Sequence, residues 1–256
     1  MDEERKDEIQ NLYDRTNKIS NFGNILFLLT IIISFVLLFD FKHKDVFITL
    51  SIILTLGYIG LSNINDIYFS NLAEMERRKS LLKESFNINI TLKETNKYYN
   101  NDEIPSIKKL GLNCYESAFF TKKVVDKMMF ANIIKITIFI LIYIILMIQL
   151  ENLELLLVIT QTLFSAEILF YFIKLCYYKF QLDKICKEFQ DIFFIRGISS
   201  NMEVLLLDAT IDYECLKSYC KIATSSKIFN KYNKVWSDEW NKLIKKLKKQ
   251  EEKWQN

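Results

Sequence analysis

The sequence predicts an all-α membrane protein: four transmembrane helices arranged as two hairpins, with mainly helical cytoplasmic modules. Three observations predict it. Strongly apolar stretches fall in two tight pairs, Phe22 to Phe39 with Val46 to Asn65, and Met128 to Leu150 with Leu155 to Ile173. Each is about 18 to 23 residues long, and at about 1.5 Å rise per residue such a helix crosses a hydrocarbon core of roughly 30 Å. The chain is 50% hydrophobic yet 25% charged, so its apolar residues are segregated, and no barrel pattern is present to satisfy backbone groups in lipid any other way.

The elements follow in order. Residues 1–20 read as an amphipathic helix with Ile9, Leu12 and Tyr13 on one side, and the acidic start MDEERKDEIQ lacks the basic region of a secretory signal. Residues 21–65 form the first hairpin, closed by FDFKHKD, and residues 128–173 the second, closed around Glu151 to Glu154. Arg15 and Lys18, then Lys122, Lys123 and Lys127, then Lys174, Lys179, Lys184 and Lys187 flank the spans on one side. By the positive-inside rule that side is cytoplasmic, with both termini there. Lys42 and Lys44 in the first outer loop run against the rule, among Asp40 and Asp45.

Two cytoplasmic modules result. In residues 66–127, IYFSNLAEMERRKSLLKESF suits a helix continuing from the second span. The Asn-rich run with Pro105 and Gly111 reads as irregular, with at most a short strand at Ile88 to Leu92, and Tyr115 to Phe130 returns as a helix. In residues 174–256 a helix continues from the fourth span, breaks near Gly197, and gives way to a final helix whose Trp236, Trp240, Leu243 and Leu247 form one apolar stripe. That stripe suits either packing on the preceding helices or another subunit, or an anionic membrane surface beside Lys242, Lys245, Lys246, Lys248 and Lys249.

Composition excludes much chemistry. With one Pro, five Gly and one His, phosphate loops and histidine-based catalytic sets have little to be built from, so no enzyme and no cofactor are expected. A net charge of +3 is too mild for bulk binding of DNA or RNA. Five cysteines, an odd number without a CxxC, read as reduced thiols.

Polar residues inside the spans are Lys135 in the third and Gln161, Ser165 and Glu167 in the fourth. Lys135 and Glu167 suit a structural salt bridge, a polar element of a conduction path, or, for the lysine, snorkelling to the interface. Thr30, Ser34, Ser51, Thr55 and Ser62 either line a shared face or bond their own backbone and glue helices together. One four-helix protomer is too thin to enclose a wide channel, so a pore requires a homo-oligomer.

The runs ERRKSLLKESFN (Glu76 to Asn87), KYYNN (Lys97 to Asn101) and CYESAFFTKKVVDKM (Cys114 to Met128), set between two hairpins, resemble the SMODS-associating four-transmembrane effector family. Its members are encoded beside cyclic-oligonucleotide synthases in bacterial anti-phage (CBASS) operons. The resemblance implies a cyclic di- or trinucleotide ligand and damage to the inner membrane. Residues after Ile198 fall outside it. For such a ligand, Arg77, Arg78, Lys79 and Lys83 supply charge for phosphates, with Lys122 and Lys123 as a second basic cluster. Phe86, Tyr98 and Tyr99 suit stacking on bases, and Asn87, Asn100 and Asn101 suit base edges. The alternative for Arg77 to Lys79 is juxtamembrane charge near anionic lipid.

Two functions are therefore expected from different classes: a messenger-gated effector that permeabilises the membrane, and a non-enzymatic membrane scaffold or sensor subunit that recruits a cytoplasmic partner.

Overall fold

In a computed structural model, which describes residues 8–37, 39, 42–93, 99, 101–149, 169–196 and 201–255, every regular element is helical. The helices are α1 (Gln10–Val36), α2 (Lys44–Ile64), α3 (Ser70–Phe86), α4 (Ile107–Gln149), α5 (Tyr171–Asp191), α6 (Met202–Cys220) and α7 (Ser226–Gln255), with single π-helical turns at Asn65–Phe69 and Ile192–Arg196. The chain divides into two units: one of Gln10–Ala73 and Asn132–Ile173, the other of Met1–Ile9, Glu74–Ala131 and Lys174–Asn256.

In the first unit the apolar side chains face outward. Helix α2 buries no residue at all, and Ile53, Leu56 and Ile64 are more than half exposed. A helix so largely apolar that buries no side chain fully suits lipid. Helices Gln10–Val36, Lys44–Phe86 and Ile107–Ile145 are each long and apolar enough to cross a membrane. Most of the expected fourth span, including Glu167, Gln161 and Ser165, lies outside the described residues. Helices α1 and α2 pair where glycine thins the contact: a Cβ on Gly23 would stand 3.7 Å from the Tyr58 ring, and one on Gly57 would stand 3.9 Å from Leu26. Phe27 packs on Tyr58 at 5.4 Å, and Arg15 lies over Phe69 at 4.6 Å.

Of the two uses open to the hydroxyls in the spans, backbone bonding is seen. Thr30 donates to the carbonyl of Leu26 (3.0 Å), Ser34 to that of Thr30 (2.9 Å) and Thr55 to that of Ser51 (2.8 Å). Helix α1 begins at Gln10 and continues to Val36, so residues 10–20, expected as part of a separate surface helix, are the first turns of the span's own helix. Residues 1–7 lie outside the described residues.

The second unit is a helical bundle around aromatic side chains. Tyr115 stacks on Phe189 (5.5 Å) and Phe193 (6.0 Å) and meets the edge of Trp240 at 5.2 Å. Val125, Leu175, Leu182, Leu206 and Leu247 complete the core. The Trp236, Trp240 and Leu247 stripe of α7 is buried there, which takes it out of reach of a membrane surface. All five cysteines are free thiols, and burial pushes that of Cys186 up to about 12.

Two local expectations are corrected. Helix α4 starts at Ile107 rather than Tyr115, because Ser106, following Pro105, caps it by accepting the Lys109 N–H (3.2 Å). No strand forms at Ile88 to Leu92. Asn87 ends α3 with φ of 55°, and the segment lies along α3 through side-chain bonds: Thr91 donates to Glu76 (2.7 Å) and Lys83 to the carbonyl of Lys93 (3.4 Å).

Gly111, read in sequence as a breaker, is instead a helical contact point. A Cβ there would lie 2.8 Å from Leu206 Cδ2 and 3.1 Å from Leu206 Cβ. Gly111→Ala should therefore destabilise the aqueous unit by about 1–3 kcal/mol in denaturant titrations of the detergent-solubilised chain. Adding Leu206→Ala should make the two losses less than additive, because the tightest contact, to Cδ2, disappears with the leucine.

Candidate functional site

Helix α3 presents the first basic cluster, and the structure divides it. Arg77 is buried: its Nε donates to Glu74 at 2.8 Å, and its Nη2 donates to Glu214 of α6. Lys217, one turn further along α6, reaches Glu74 at 3.2 Å. Two cations and two carboxylates thus cancel, with side-chain exposures of 9% for Arg77 and 15% for Lys217. Burial and the Arg77 charge pull the Lys217 ammonium below its ordinary range, against the pull of Glu74 and Glu214. This set fastens α3 to α6 and leaves no net charge for a phosphate.

Arg78, the next residue, is half-buried and forms no ion pair among the described residues. Lys79, half-exposed, pairs with Glu76 at 2.8 Å, and Lys83 reaches the Lys93 carbonyl. Phe86 is half-buried at the end of α3, with Asn87 exposed beside it. A polar seam joins this end to α4. Asn113, fully buried, donates to Ser85 Oγ (3.0 Å) and accepts from Asn101 Nδ2 (2.5 Å), while Ser117 donates to the Tyr99 hydroxyl (3.3 Å). The structure therefore sets Lys83, Phe86, Asn87, Tyr99 and Asn101 at the α3 end and its connection to α4, with Arg78 and Lys79 about two turns back along α3. Tyr98 and Asn100 lie outside the described residues.

Lys122 and Lys123 are not part of this group. Lys122 is nine residues beyond Asn113, two and a half turns, and so on the opposite side of α4. It pairs with Asp183 of α5 at 2.7 Å, and Lys123 pairs with Glu239 of α7 at 2.5 Å. Lys179 bridges Asp126 (2.7 Å) and Asp183 (3.1 Å). Burial resists ionisation of Asp183, but hydrogen bonds from Lys122 and Lys179 outweigh it and hold the carboxyl below its usual range. The second basic cluster thus ties three helices together. Lys135 is exposed on α4.

Sequence reasoning missed Glu74, Glu214 and Lys217, and it missed the Asn113–Ser85 bond. No local signal marks Glu214, which lies 137 residues from its partner. Asn113 does carry a signal, since with Ser117 and Thr121 it forms a ridge of small uncharged polar residues at intervals of four along α4.

These placements separate neighbours that look alike. Arg77→Met leaves two carboxylates and a lysine unbalanced in a buried site and should cost about 3–5 kcal/mol in denaturant titrations. Arg78→Glu should stay within about 0.5 kcal/mol of the parent chain.

No family model matches the chain, and comparisons with curated proteins and with solved structures return no similar protein. The likeness to the four-span effectors thus rests on the three residue runs alone.

Proposed function

We propose that this chain is a membrane effector of bacterial anti-phage defence, gated by a cyclic oligonucleotide second messenger and permeabilising the inner membrane through assembly of its four-span units. Both termini are cytoplasmic in this reading, with the aqueous unit as the sensor. The observation that carries it is helix continuity. From Lys44 to Phe86 the backbone is helical throughout, so the apolar run of α2 and the cationic end of α3 are one element. Ligand bound at Arg78, Lys79, Lys83 and the Tyr99–Asn101 connection would act on a helix that ends in lipid. Only a ligand with different affinities for the resting and open states shifts such an equilibrium.

Arg78 is the residue to test, because Arg77 holds the bundle together. In vesicles bearing the purified chain, one member of a panel of cyclic di- and trinucleotides should release a trapped dye, and Arg78→Glu should lower the response at least about tenfold, the loss of one charge-assisted phosphate contact. Vesicles that stay sealed with every nucleotide would favour the second reading, a membrane scaffold. The exposed charged faces of α6 and α7 support that reading, since they offer a partner surface without any ligand.

A further inference from the structure

The outer faces of α6 and α7 are built as opposites. On α7, Lys227, Lys231, Lys234, Lys242, Lys245 and Lys249 recur at helical spacing on the side away from the buried Trp236, Trp240 and Leu247. All six are exposed, and none forms an ion pair among the described residues. The stripe spans 23 residues, about 33 Å from first to last, interrupted by Asp238. On α6, the side away from the core carries Asp208 and Asp212 among exposed Val204 (67%), Ile211 (58%) and Cys215. Its one basic side chain, Lys217 in the last turn, is turned inward to Glu74.

Heights along α4 make the two faces match. Leu206 meets Gly111, and Tyr213 bonds Thr121 (3.0 Å), so α6 runs parallel to α4. Glu251 pairs with Lys108 (2.9 Å), Trp240 lies against Phe119 (5.4 Å), and Lys127 sits over Tyr232 (5.3 Å), so α7 runs antiparallel. Asp208 and Asp212 thus stand at the same level as Lys242 and Lys245, between Lys108 and Thr121 of α4. Copies inserted in one membrane orientation share that level.

We infer that the α6 face of one copy seats against the α7 stripe of the next, Asp208 and Asp212 to Lys242 and Lys245, around an apolar centre of Val204 and Ile211. This rests on the membrane-inserted, oligomeric reading above. Such a head-to-tail contact is heterologous and propagates into a ring or an open array. The occupant follows from chemistry. The stripe exposes no tryptophan for base stacking, which disfavours single-stranded nucleic acid. The acidic, apolar face that would cover it is present on the same chain.

Cys215 provides the test, two residues past Tyr213 at the level where Asp238 and Glu239 lie opposite Lys123. In membranes holding the full chain, Asp238→Cys oxidised with copper phenanthroline should give a ladder of dimers, trimers and larger species. Cys215→Ser should abolish it. Asp208→Lys with Asp212→Lys should reduce the ladder by more than about tenfold. Adding Lys242→Glu and Lys245→Glu should restore it, with unchanged melting of each variant showing that folding is intact. Monomers only, a dimer that survives Cys215→Ser, or a ladder indifferent to charge would each overturn the contact. A charge-dependent ladder in vesicles that stay sealed with every nucleotide would remove the effector reading and leave the contact standing.

Discussion

An amide without a hydrogen bond costs several kcal/mol in hydrocarbon, and that penalty governs the architecture of this chain. It forces the apolar runs to stay helical from end to end, whatever the side chains do. Once a helix cannot break inside lipid, its ends must be handled outside it. The runs that start in α2 and return in α4 therefore extend into water as α3 and as the first half of α4. One covalent element then serves two solvents. Its apolar part buries no side chain fully even where α1 packs on it, while its polar part needs a bundle to cover its buried face.

How that bundle covers α3 decides which charges are available for function. Arg77 and Arg78 are chemically identical and adjacent, yet a turn of 100° per residue sends one into the bundle and leaves the other beside the surface. Inside, a lone guanidinium would be costly, and Glu74 and Glu214 offset it. The same logic converts Lys122 and Lys123 from candidate ligand contacts into cross-links between α4, α5 and α7. Much of the bundle's positive charge is thus taken up internally, while Arg78 and the outer lysines of α7 form no ion pair among the described residues.

The apolar helices were legible in sequence because composition alone identifies a stretch that cannot remain in water. The stripe of Trp236, Trp240 and Leu247 was legible as a periodicity, but its destination was not, since an apolar face suits a bilayer and a bundle equally well. Gly111 misled because a glycine is written the same way whether it breaks a helix or lets Leu206 approach one. The division of the basic cluster was hidden for another reason. Whether an arginine is neutralised depends on a carboxylate brought in from 137 residues away, and local sequence holds no record of that distance.

The central claim is that α2 and its neighbours face lipid rather than water, and site-directed spin labelling measures this most directly. With Cys176 and Cys215 replaced, a nitroxide at Leu56, where the side chain is 64% exposed, should in lipid nanodiscs collide with dissolved oxygen and be shielded from an aqueous nickel chelate. A label on Lys245 should show the reverse. Ready access of the nickel reagent to the Leu56 position would mean that this helix is not in a bilayer, and the account of the protein as a membrane-coupled sensor would be wrong.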